Sequence, residues 1–155
     1  PVNIMASRWL VAWVGDCRVY RLGEGDGHAL QPLTIDDTFL HLNETPPPGS
    51  TPEDPARMVG NGAVVRPNVA LADVAVGDLL VACSDGVHKH VRSDEWHRVL
   101  RRPGALAQRC EFLIDVARAN GSTDDATVLL VQRTGFGVPR LSWSNRRGGG
   151  NGGAR

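Results

Sequence analysis

The chain has 155 residues, 41% of them hydrophobic, enough for one domain with a real core. Its 17 basic residues balance 17 acidic ones, so charge gives no case for a nucleic-acid partner or a membrane surface. No apolar run reaches the roughly 18 residues of a membrane span and no signal peptide precedes the first strand, so a cytoplasmic protein is expected. Cys17, Cys83 and Cys110 are odd in number, widely spaced and set in or beside apolar elements, which reads as reduced, structural thiols. Lys89 is the one lysine among the basic residues, and the sequence alone assigns it no role.

Residues 8–14 and 18–22 read as strands around a Gly15-Asp16 corner. Residues 23–27 form a hairpin turn, with a return strand over 28–33. Asp26-Gly27-His28 is turn chemistry within it. Thr34 is placed to N-cap a short helix over 36–42, with Asp37 in a structural role in its first turn. Residues 43–55 carry Pro46, Pro47, Pro48, Pro52 and Pro55 and read as an exposed loop. Residues 68–74 read as a strand, turned by Gly77-Asp78 into an antiparallel pairing with the next strand. That next strand, 79–84, is apolar or small with no charge on either parity, the pattern of a strand buried on both faces. Asp85-Gly86 then reads as a tight turn. His88 and His90 are two apart and lack a third ligand nearby, which argues against zinc. Ser93 is placed to N-cap a helix over 94–101. The clearest helix spans 105–120, with Leu106, Cys110, Leu113, Ile114 and Ala117 on one stripe and Asn120-Gly121 as its stop. A last strand covers 127–132. Residues 134–155 are expected as a flexible Arg/Gly-rich tail, leaving 1–133 as the folded domain.

Three carboxylates stand at strand ends. Asp16 and Asp85 follow their strands, and Asp124 precedes the last one. If that last strand is antiparallel to the others, all three meet at one sheet edge. Clustered carboxylates need a shared proton or a cation. Hard oxygen ligands without Cys/His pairs favour Mg²⁺ or Mn²⁺. Taken singly, Asp85 reads as a turn aspartate capping local N–H groups, and it is the other two carboxylates that shift the reading.

Four stretches in order carry a family resemblance: Val14-Gly15-Asp16-Cys17-Arg18, Leu33-Thr34-Ile35-Asp36-Asp37, Gly77-Asp78 through Ser84-Asp85-Gly86, and Gly121-Ser122-Thr123-Asp124-Asp125-Ala126-Thr127. Together they resemble the metal-dependent serine/threonine protein phosphatases (PPM, type 2C), especially the compact bacterial kind, over about residues 10–132. The resemblance implies an α+β fold, the four-layer α-β-β-α sandwich. It implies hydrolysis of phosphoserine and phosphothreonine by water activated between two Mg²⁺ or Mn²⁺ ions, with a third ion in the complete site. Asp85 and Asp124 match ligands of the binuclear centre and are the expected catalytic residues. Asp16 matches a carboxylate tied to the additional metal. Asp125 stands where the family usually has asparagine. A phosphoprotein substrate and a Ser/Thr kinase pathway are the implied partners, with no nucleic acid and no membrane.

The family's opening part has no counterpart in these residues: no Asp-Gly-x-Gly-Gly precedes Gly15. The resemblance therefore implies the C-terminal portion of the domain, inactive by itself and partnered by its missing N-terminal part. The alternative is a non-catalytic, pseudophosphatase-like interaction module. If the opening strands are absent, part of the apolar surface of strand 79–84 is expected to lack cover.

Overall fold

The computed structural model describes residues 2–5, 8–24, 30–60, 62, 66–135 and 140–148. In chain order the elements are β1 (Val2–Met5), β2 (Arg8–Trp13), β3 (Arg18–Leu22), β4 (Leu30–Pro32), α1 (Phe39–Leu42), β5 (Asn68–Asp73), β6 (Leu79–Cys83), α2 (Asp85–His88), α3 (Ser93–Leu100), α4 (Leu106–Ala119), β7 (Ala126–Gln132) and β8 (Arg140–Arg146). The strands sort into a three-stranded sheet, β1-β2-β5, and a five-stranded sheet, β4-β3-β6-β7-β8. Every pairing is antiparallel.

The chain passes from the small sheet to the large one twice. The Gly15-Asp16 corner carries it from β2 to β3, and the Gly77-Asp78 turn carries it from β5 to β6. This corrects the expected pairing of 68–74 with the central strand. β5 instead pairs with β2, from Arg8↔Asp73 to Trp13↔Asn68. The physical reason is the side-chain pattern. β5 alternates more and less exposed residues and suits a sheet with one covered face. β6 has no polar parity and takes the centre of the large sheet, between β3 and β7.

The two faces of β6 feed two cores. Leu79, Val81 and Cys83 pack with Leu113, Ile114 and Cys110 of α4 and Trp96 of α3. Leu80 packs with Trp9, Val11 and Val131 between the sheets. The expected lack of cover on this strand is therefore corrected: Leu79, Leu80, Val81 and Cys83 are all buried. The apolar residues left open lie elsewhere, at Val69 and Leu71 on β5 and at Leu141 and Trp143 on β8. Helix α4 buries all five residues of the predicted stripe, and Gly121, at φ +94°, supplies the left-handed stop. Small sheet, large sheet and outer helices make three layers of the α-β-β-α arrangement among the described residues.

Three local expectations shift. Thr34 does not cap a helix; its buried hydroxyl accepts the Val19 N–H at 3.0 Å. Thr38 caps α1 instead, accepting the His41 N–H at 3.3 Å. Ser93 is the first residue of α3, after Arg92, whose N–H donates to Glu95 Oε2 at 3.0 Å. The tail expected over 134–155 contains β8, paired with β7 from Ala126↔Arg146 to Gln132↔Arg140. The apolar residues Leu141 and Trp143 alternate with Ser142 and Ser144, and β7 offers backbone groups that need partners. Residues 149–155 and Asp26-Gly27-His28 lie outside the described residues. No helix among the described residues is long and apolar enough to cross a membrane.

Candidate metal centre

Asp16 sits on the crossing between the sheets, and the loop before α1 clamps that crossing. Gly15 turns at φ +88°, a region that favours glycine. Its N–H donates to Asp37 Oδ2 at 3.2 Å, and its carbonyl accepts the Asp37 N–H at 3.0 Å. Asn68 Nδ2 lies 2.9 Å from both Asp37 oxygens, so Asp37 ties the corner to β5. The Arg18 fork reaches buried Asp36 through Nε at 2.9 and 3.1 Å and Nη2 at 2.8 Å. These carboxylates are structural, as expected for Asp37.

Asp85 is not on a simple tight turn. It opens the short helix α2, and its carboxylate accepts the Gly86 N–H at 2.9 Å. The strand end beneath it is fixed by Ser84, whose hydroxyl donates to the Asp125 carbonyl at 3.1 Å and accepts the Thr127 N–H at 3.0 Å. One helical turn on, Lys89 Nζ lies 3.0 Å from Asp85 Oδ2 and 3.2 Å from Asp16 Oδ2. Burial alone would raise the Asp85 pKa. The hydrogen bond and charge of Lys89, the Gly86 N–H and His88 outweigh it and hold the carboxyl below its ordinary value. Burial likewise opposes the Lys89 charge, and the hydrogen bonds and charges of Asp85 and Asp16 reverse that and raise it. His88 Nε2 donates to the Asp16 carbonyl at 2.9 Å. Burial, then the Arg18 charge, pushes His88 below the ordinary histidine value.

The loop carrying Asp124 lies against Asp85-Gly86 through backbone contacts. Ser122 Oγ donates to the Gly86 carbonyl at 2.7 Å. A Cβ on Gly86 would stand 2.5 Å from the Asp125 carbonyl oxygen, so only glycine lets the two segments approach this closely. The exposed Asp124 carboxylate accepts the Asp125 N–H at 2.7 Å. Asp125 Oδ1 accepts the Gly148 N–H at 2.6 Å. Of the three predicted carboxylates, then, Asp16 and Asp85 converge on one cationic group, whereas Asp124 is brought near only in that its flanking residues Ser122 and Asp125 touch the Asp85 segment. Among the described residues no group of three or more His, Cys, Asp or Glu is placed to hold a metal ion.

The donor chemistry nevertheless suits a hard cation. Oxygens from two elements already face one positive charge. Two of the three thiols are buried and poor nucleophiles: burial pushes Cys83 well above the ordinary thiol value and Cys110 up to about 11, whereas Cys17, expected as a structural thiol, is exposed. An apolar cleft of about 540 Å³ opens between the sheets, lined in part by Trp13, Val19, Ala82 and Leu129, and Asp85 and Asp124 are not in its walls. Sequence reasoning missed the link through Lys89. The signal was present, since Asp85 and Lys89 stand four apart and meet on one helical face.

No model of a known protein family matches the chain. Over 141 aligned positions it is 30% identical to the serine/threonine phosphatase stp of Listeria monocytogenes, a match covering 84% of this chain and 54% of that protein. Among solved structures it is similar to PppA, a regulatory component of the T6SS in Pseudomonas aeruginosa, at 25% identity and a TM-score of 0.70, covering 85% of this chain and 54% of that one. It is also similar to the catalytic domain of the serine/threonine phosphatase PstP in complex with two manganese ions, at 24% identity and a TM-score of 0.65, over 91% and 56% of the two chains. The chain spans about half the length of the first of these, stp.

Proposed function

From the premise that this chain belongs to the metal-dependent serine/threonine phosphatases (PPM, type 2C) and spans about half the length of its relatives, we propose that it carries the Asp85–Asp124 side of a metal-assisted phosphoester hydrolase. The substrate class is a protein phosphorylated on serine or threonine, so a Ser/Thr kinase is the class of reaction that supplies it. The observation that carries the reading is the meeting of Asp16 and Asp85 on one cationic group beside the loop of Asp124.

Asp85 and Asp124 would hold the ions of the binuclear centre, and Asp16 an additional one. Bound Mg²⁺ or Mn²⁺ supplies the Lewis acidity that activates water for attack at phosphorus. The chain's own residues hold and orient. Gly86 lets the Asp85 and Asp124 segments approach, Ser84 and Ser122 pin them together, and the Arg18–Asp36 and Asp37–Asn68 contacts fix the corner bearing Asp16. No protein nucleophile is required, in keeping with the protonated thiols at Cys83 and Cys110. We place the protein in the cytoplasm, where buried thiols of this kind stay reduced.

The test is manganese-dependent hydrolysis of p-nitrophenyl phosphate by the full-length protein. Asp85→Asn and Asp124→Asn are each expected to lower kcat/KM by about 100-fold or more. The 155-residue chain alone is expected to show little activity. Wild-type rates in both variants would overturn the reading, and a full-length protein that binds no metal would favour the interaction module.

A further inference from the structure

Lys89 Nζ lies 3.0 Å from Asp85 Oδ2 and 3.2 Å from Asp16 Oδ2. The two carboxylates come from different elements, one at the start of α2 and one on the crossing between the sheets. Helix α2 sets the geometry, because residue 89 falls one turn after residue 85 on the same face. The lysine side chain is 40% exposed, Asp85 30% and Asp16 14%, so the cluster is reachable by ions from solvent. A divalent cation on Asp16 and Asp85 would need the oxygens that now face the ammonium. Two like charges at that separation repel, so ammonium and metal exclude each other.

We propose that Lys89 is a built-in competitor for the additional divalent cation at Asp16, which Asp85 would share with the binuclear centre. Its ammonium stands in for the metal, and a metal enters that position only when the lysine side chain swings out. The side chain suits this role: a flexible four-carbon stem carries a compact point charge that can leave to solvent without moving the backbone. The partial exposure of all three groups gives it somewhere to go. The metal-free chain thereby avoids two unpaired carboxylates at the crossing, at the cost of weaker metal binding there. This inference rests on reading Asp85 and Asp16 as metal ligands.

The experiment is a Mn²⁺ titration of the full-length protein, followed by the electron paramagnetic resonance signal of free Mn²⁺, on wild type, K89Q, K89M and K89R. Two partly exposed ion pairs set the expected size of the effect: K89Q and K89M bind Mn²⁺ about tenfold more tightly than wild type. K89R, which keeps the positive charge, binds no more tightly than wild type. Thermal melts establish that each variant is folded. Equal or weaker Mn²⁺ binding by the folded uncharged variants overturns the competition while leaving the metal reading intact. Absence of Mn²⁺ binding from every form, wild type included, overturns the metal reading and the competition together.

Discussion

His88 is buried beneath the cluster with its Nε2 on the Asp16 carbonyl, and its Nδ1 has no hydrogen-bond partner. Protonation would place a charge where burial and Arg18 both oppose it. The folded-state pKa is thus lowered from 6.5, and the unfolded chain binds more protons as the pH falls through that value. Stability is therefore fully present above the unfolded pKa and declines as pH drops below it. Urea midpoints of wild type and H88Q between about pH 7.5 and 5.5 read this directly. Wild type is expected to lose stability relative to H88Q toward the acid end, and a difference that stays constant across the range would refute the argument. Single residues of this kind were only partly legible in the sequence. Asp37 reads as structural from its place beside a helix start, whereas the histidine's carbonyl partner lies 72 residues away.

At the scale of elements, the junction between α2 and β7 sets how closely the Asp85 and Asp124 segments approach. Gly86 is buried, and its backbone meets that of Asp125 with no room for a methyl group. Gly86→Ala is expected to push the Asp124 segment away and to cost about 1–3 kcal/mol, read as a lower melting temperature. A variant that melts like wild type would show that the two segments can part freely. Helix α4 is the opposite case. Its stripe of Leu106, Cys110, Leu113, Ile114 and Ala117 is visible in the sequence because helical spacing and burial coincide. The strand β8 was hidden, because its apolar residues Leu141 and Trp143 stay exposed and its register depends on β7.

On the whole molecule, apolar cover is uneven. The core around β6 is closed on both faces, while the outer face of the small sheet presents Leu71 at 64% exposure and Val69 at 57%. Leu71→Glu is accordingly expected to change the stability of the 155-residue chain by no more than about 0.5 kcal/mol. The same change should reduce light scattering on concentration, because exposed apolar area drives association. A large loss of stability in urea denaturation would mean that this face is packed and that the exposure is misread.

The amino-acid sequence by itself determined the β6 strand, the α4 helix and the positions of Asp16, Asp85 and Asp124 at strand ends. Each rests on local periodicity and turn chemistry, which act within a few residues. Only the tertiary structure decided that β5 leaves β6 for β2, that the two glycine turns cross between sheets, and that Lys89 bridges Asp16 and Asp85. Those outcomes depend on which faces can be buried together, and on charges brought within a few ångströms from distant parts of the chain. Local pattern carries no information about either.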